Sequence, residues 1–139
     1  MSNRDVTTVS FEQFFWSSSD LMSVVDLDRK FVLVNPAYRH ILGWEPEQLI
    51  GQPCTDYFHP DDLERAAAAF QPTNGVVPSV VELDLRERCH DDTYRWMTWT
   101  VRKDGDLYYA VGHDITQRRE TIDALAVSME KSRAIFDAA

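Results

Sequence analysis

Two stretches of strict alternation mark the second half of the chain. Val81, Leu83 and Leu85 alternate with Glu82, Asp84 and Arg86, and Met97, Trp99 and Val101 alternate with Trp96, Thr98 and Thr100. A period of two predicts strands with one buried and one polar face. The β-prone run Leu107–Val111 makes a third strand, and turns at His90-Asp91-Asp92 and Lys103-Asp104-Gly105-Asp106 join the three into an antiparallel meander. Earlier, Leu21–Asp26 and Phe31–Val34 flank Leu27-Asp28-Arg29-Lys30 and read as a hairpin. Short helical segments lie between. Pro36 to Leu42 starts with proline and ends at Gly43, Trp44 to Gly51 gives one further turn, and His59-Pro60-Asp61-Asp62 opens a helix over Leu63 to Phe70. Gln71 to Pro78 is a loop. At the front, Phe11, Phe14 and Phe15 sit at i, i+3, i+4 of a short amphipathic helix that ends in Ser17-Ser18-Ser19-Asp20.

The last strand runs through Gly112-His113-Asp114-Ile115-Thr116 directly into a charged amphipathic stretch. Thr116 is expected to cap that helix by accepting N–H bonds from its first turn, and Asp114 to bond back to the body of the domain. Ile115, Ile122, Leu125, Met129 and Phe136 are spaced by threes and fours, with Arg118 and Ser132 as weak seam positions. About 23 residues at about 1.5 Å rise extend roughly 35 Å, beyond what a small core can cover. A partner helix is implied, most simply from a second copy of the chain.

Composition narrows the function classes. A chain of 139 residues with 44% hydrophobic and 12% aromatic content holds one ordinary core plus a connector. The formal charge of −9 opposes binding to nucleic acid or an anionic membrane. No run approaches the ~18 to 20 apolar residues of a membrane span. Cys54 and Cys89 match no zinc or redox spacing, and reduced thiols in a cytoplasmic protein are the expectation. The acidic pairs Asp61-Asp62 and Asp91-Asp92 stand at a helix start and in a turn, solvated places, so the chain reads as non-enzymatic.

The element order, with Val34-Asn35-Pro36-Ala37, Leu42-Gly43-Trp44, Glu47-Gln48-Leu49-Ile50-Gly51, His59-Pro60-Asp61-Asp62, Tyr94-Arg95-Trp96 and Asp114-Ile115-Thr116, resembles a PAS sensory domain of bacterial-type signalling proteins. The resemblance covers roughly residues 8 to 117. It implies an α+β fold, a five-stranded antiparallel sheet in order 2-1-5-4-3 with short helices over one face, and a C-terminal signalling helix. Asp114 and Thr116 match the family's Asp-x-Thr exit motif, with Arg118 and Arg119 following. The implied role is to relay ligand or partner binding to an effector such as a histidine kinase or a cyclic-di-nucleotide enzyme of a longer parent chain. The alternative is a constitutive dimerisation domain with no small-molecule ligand. The implied organisation is a lead-in with a cap helix over 1–20, a core over 21–116 and a linker helix over 117–139 that stops short of a further domain.

Within that frame, Cys54, Leu83, Leu85, Met97, Trp99, Tyr108 and Ala110 are the candidate lining of a modest pocket, and the competing reading is that they simply fill the core. Cys54 stands where blue-light flavin sensors of the superfamily carry a reactive cysteine. Here Thr55-Asp56-Tyr57-Phe58 follows it in place of Arg-Phe-Leu-Gln, and Pro53 precedes it in place of Asn. The inward positions opposite a flavin are Glu87, Met97 and Gly112. A photoreactive flavin is disfavoured, and Cys54 is expected to be a half-buried structural thiol of ordinary pKa. Haem is disfavoured because Leu63 to Phe70 has no histidine, and His40, His59, His90 and His113 share no metal-ligand spacing. No cofactor or metal is expected. Trp96 is expected on the outer sheet face, as a docking surface for Phe11, Phe14 and Phe15 or as a dimer contact.

Overall fold

The computed structural model describes residues 10–138, with side chains as far as Ile135. Residues 1–9 of the lead-in, and the side chain of Phe136 in the heptad stripe, lie outside the described residues. The elements in chain order are α1 (Phe11–Ser17), β1 (Leu21–Asp26), β2 (Phe31–Val34), α2 (Pro46–Leu49), α3 (Leu63–Ala69), β3 (Val80–Arg88), β4 (Tyr94–Asp104), β5 (Leu107–Asp114) and α4 (Thr116–Ala138). The strands form one antiparallel sheet in the order β2-β1-β5-β4-β3, the order that the resemblance implies.

Pleating explains the core. Leu21, Ser23 and Val25 of β1, Leu85 and Glu87 of β3, Met97 and Trp99 of β4 and Ala110 of β5 are buried, while their neighbours along each strand are more exposed. The connection from β2 to β3 packs over this inner face through Tyr38, Leu42, Leu49, Tyr57 and Ala66. Its turns are more varied than periodicity predicts, some wider and some tighter than an α-turn. Tyr38–Leu42 is a π-helical turn, in which the Gly43 N–H, at φ +83°, donates to the carbonyls of Tyr38 and Arg39. α2 is one turn closed by a capping box between Glu45 and Gln48, and Cys54–Tyr57 is a 3₁₀ turn.

The leading helix departs from expectation. No residue of α1 is buried, and Phe11 and Phe14 stay exposed rather than docking over Trp96. Seven residues are too few to hold a helix by propensity alone, so its anchor is tertiary. That anchor is Asn35, wholly buried beyond β2. Its Nδ2 donates to the carbonyls of Phe15 (3.1 Å) and Asp20 (2.9 Å), and its Oδ1 accepts from the Met22 N–H (3.0 Å).

Candidate functional site

A cavity of about 60 Å³ lies between the inner sheet face and the overlying turns. Cys54, Leu83, Leu85, Trp99, Tyr108 and Ala110 line it, together with Glu87, which the resemblance places at an inward position, and with residues not singled out in the sequence, chiefly Ser23, Arg29 and Tyr38. Met97 does not line it. It points to the inner face as expected, but it is 0% exposed and packed within the solid core. The lining is mostly apolar and aromatic, the ordinary chemistry of a small-molecule site.

Two backbone features shape the cavity. Trp99 on β4 pairs with Gly112 on β5, and a Cβ on Gly112 would stand 2.8 Å from the Trp99 ring. The missing side chain is what lets the indole lie flat against β5. At the β1–β2 turn Arg29 adopts φ +67°, uncommon for a residue with a Cβ. Its guanidinium lies 4.8 Å from the centre of the Phe70 ring and 5.8 Å from that of Tyr108, bringing one cation to the lining.

Burial governs the site's acids. Glu87 is 2% exposed, and burial pushes its carboxyl well above the usual range, opposed only in part by the neighbouring Trp99 indole. It is therefore protonated far into the range where other glutamates are ionised. Burial also raises the Tyr38 phenol. The Cys54 thiol is pushed up to about 12, by burial first and by Glu87 second, against the pull of Arg29. This corrects the expectation of an ordinary thiol: Cys54 is held as an inert S–H, the opposite of an activated thiolate. The space matches roughly four or five water molecules, and no histidine lines it.

The exit junction is built from β4 outward. Asp114 Oδ2 accepts from Arg95 Nε (2.6 Å) and its Oδ1 accepts from the Thr116 N–H (2.8 Å). Burial alone would raise this carboxyl, but the bonds to Thr116 and Arg95 outweigh it and lower its pKa. The Thr116 hydroxyl does not cap α4. It accepts from the Trp96 N–H (2.8 Å), because β4 runs alongside and offers a free backbone donor there. The roles are thus exchanged: Asp114 satisfies the first turn, and Thr116 pins the helix to β4.

Beside this junction, on the outer face, Trp96 carries two guanidinium groups over its ring. Arg86 lies 5.0 Å and Arg119 4.0 Å from the ring centre. Of the two uses expected of Trp96, cover by Phe11, Phe14 and Phe15 is not the one found, since Phe11 and Phe14 are exposed. Arg86 also grips Asp62, donating Nη2 to Oδ1 at 2.7 Å and its backbone N–H to Oδ2 at 2.8 Å. Arg65 adds a contact to Asp62 at 3.2 Å, and Arg119 reaches Asp84 at 4.0 Å. Asp62, Arg86, Trp96 and Arg119 therefore link the head of α3 to the first turns of α4. Farther along, Ile122, Leu125 and Met129 are each more than half exposed. Among the described residues no helix is long and apolar enough to cross a membrane, and no cluster of three metal-ligating side chains occurs.

Comparison with known proteins agrees with this architecture. The PAS domain of a Colwellia psychrerythraea protein superposes with a TM-score of 0.67 at 21% identity, covering 76% of this chain and 94% of that one. A sensory box histidine kinase/response regulator from Burkholderia thailandensis gives 0.68 at 21% identity, covering 89% and 98%. In sequence, the aryl hydrocarbon receptor nuclear translocator homolog of Drosophila melanogaster is 28% identical over 81 residues, 58% of this chain. The chain spans 13% of that relative's length. The model of the PAS fold matches residues 10–106, from the lead-in helix to the turn before β5. With a match over more than half its length and this sheet order, the chain belongs to the PAS family of sensory and regulatory domains.

Proposed function

We propose that the chain is a non-enzymatic sensory relay: occupancy of the cavity, or engagement of a partner, biases the Asp114–Thr116 junction and with it the angle or register of α4. The carrying observation is the double attachment at that junction, Asp114 to Arg95 and Thr116 to the Trp96 backbone. A helix tied to the sheet by a few hydrogen bonds can hold two arrangements close in energy, which a ligand with unequal affinity for them can shift. The exposed Ile122, Leu125 and Met129, continued by Phe136 in sequence, supply a seam for a homodimer. The effector at the far end of α4 is a histidine kinase, a cyclic-di-nucleotide enzyme or a similar module in a longer cytoplasmic chain. Residues 1–20, 21–116 and 117–139 act as lead-in, sensing core and linker. Nucleic acid and membrane are not its partners, and its ligand is a small molecule rather than haem or a photoreactive flavin.

The competing reading, constitutive assembly without a ligand, draws on the same exposed seam. Fusion of residues 1–139 to a histidine kinase catalytic core tests the choice. Asp114→Ala should change basal autophosphorylation severalfold while sedimentation still reports a dimer. A fusion whose activity follows only its dimerisation constant, unmoved by Asp114→Ala, would leave assembly alone.

A further inference from the structure

Arg29 makes the mouth of the cavity cationic, and this deepens the ligand-responsive reading above, on which it rests. The lining divides by burial: Tyr38, Glu87 and Trp99 are buried at the inner end, whereas Arg29, Phe70 and Tyr108 are half-buried at the outer one. Arg29 is the one cation among the lining residues. Its main chain is pinned, the N–H donating to the Asp26 carbonyl (3.0 Å) and the carbonyl accepting from the Cys54 N–H (2.7 Å). The Asp26 carboxylate is committed to the same turn, its Oδ1 accepting from the N–H groups of Asp28 (2.9 Å) and Lys30 (3.0 Å). Among the described residues the guanidinium therefore has the ring faces of Phe70 and Tyr108 and no carboxylate partner. A ring face attracts the charge but leaves the N–H donors to solvent or to a ligand.

Charge and volume then limit the ligand. The Cys54 thiol, raised by burial first and by Glu87 second, is pulled back by Arg29, whereas the Glu87 carboxyl answers to burial and to the Trp99 indole with no pull from Arg29. The cation and the buried acid thus stand apart, and an anionic head at the mouth does not meet Glu87. A planar carboxylate accepts two parallel N–H bonds from one guanidinium. A dianionic phosphate ester calls for a second cation that the lining lacks, and an ammonium head is repelled. Behind the mouth the walls are apolar, chiefly Phe31, Leu83, Leu85 and Ala110, and about 60 Å³ is room for about four to six non-hydrogen atoms. We propose that the cavity binds a short aliphatic monocarboxylate, with the carboxylate held by Arg29 at the mouth and the hydrocarbon tail inside.

Titration of the ¹⁵N-labelled chain with pentanoate, 1-pentanol and pentylammonium tests this, read at the backbone amides of Arg29 and Phe70 and at the Trp99 indole N–H, which Trp99→Phe assigns. Pentanoate should bind saturably at millimolar concentration and about tenfold more tightly than 1-pentanol, with pentylammonium weakest. Arg29→Gln should weaken pentanoate by about tenfold and leave 1-pentanol within about twofold, in a variant whose backbone spectrum shows it folded. Arg29→Asn, a residue that tolerates positive φ, serves as the second neutral variant. Arg29→Lys, which keeps the charge and loses the fork, should fall between the parent and Arg29→Gln. Equal affinities for pentanoate and 1-pentanol, tightest binding of pentylammonium, or a neutral variant that keeps the full pentanoate affinity would overturn the ligand class while leaving the cavity a sensing site. No saturable shift with any of the three would overturn both the class and the cavity as an input.

Discussion

Two buried acids set the pH response of this domain in opposite senses. Burial would raise the Asp62 carboxyl, but the Arg86 side chain and backbone, with Arg65, hold it at about 2 against an ordinary value of 3.8. A lowered folded pKa contributes stability that is present above the unfolded value and lost as pH falls through the folded one. The difference amounts to about 2 kcal/mol, lost between roughly pH 4 and pH 2. Glu87 has the reverse sign. Its raised folded pKa makes the folded state the tighter proton binder, so its contribution diminishes as pH rises above the unfolded value of 4.5. Urea denaturation across pH should therefore show Glu87→Gln more stable than the parent at pH 8, with the gain shrinking toward pH 4. The Asp62 contribution should disappear only below that range. Gly112 gives a steric counterpart. Gly112→Ala places a methyl 2.8 Å from the Trp99 ring and should cost about 1–3 kcal/mol, measured as a lowered urea midpoint with an unchanged slope. None of these roles is visible in the sequence. Glu87 reads there only as an inward strand position, and Asp62 as one of two aspartates at a helix start, because the partners of both come from strands distant in the chain.

Within α4, the join to the rest of the domain lies at its N-terminal end. Its first turn is fixed by Thr116, by Asp114 and by Arg119 over Trp96, and beyond that its apolar side chains face outward. A cation over a partly exposed indole contributes about 1 kcal/mol. Arg119→Ala should accordingly raise amide hydrogen exchange in the first turns of α4 by about fivefold and leave β1 unchanged. Uniform acceleration across the domain would show instead that Arg119 supports global stability. The exit motif was legible because Asp114, Thr116 and the heptad spacing lie within one local stretch. The Arg86–Trp96–Arg119 stack was not, because it depends on the β3–β4 register that sets Arg86 opposite Trp96. The same limit explains α1. Its i, i+3, i+4 phenylalanines imply a docking face, but Phe11 and Phe14 stay exposed, and the Asn35 amide holds the helix by its bond to the Phe15 carbonyl and the segment after it by its bond to the Asp20 carbonyl.

At the scale of the molecule, the sheet was legible and the space above it was not. Alternation at Val81–Arg86 and Trp96–Val101, two turns and a hairpin define three of the four strand pairings by sequence adjacency, the family order supplies the fourth, β1 with β5, and burial follows the same period. The cavity is formed by what fails to fill: Ala66 on α3, the missing side chain of Gly112, and an arginine held at positive φ in a turn. Absences of volume leave little periodic trace. The sheet order has a mechanical consequence. β1 and β5 are neighbours, Leu21 at the start of one pairs with Gly112 near the end of the other, and Asp20 Oδ1 lies 2.8 Å from His113 Nδ1 at the same end. Tension applied through α1 and α4 therefore arrives at adjacent ends of two antiparallel strands and opens their ladder one rung at a time, instead of shearing all its bonds together. In an optical trap the domain should yield at low force, peeling from Leu21 and Gly112 inward, and α4 would part from the sheet before the sheet itself comes apart.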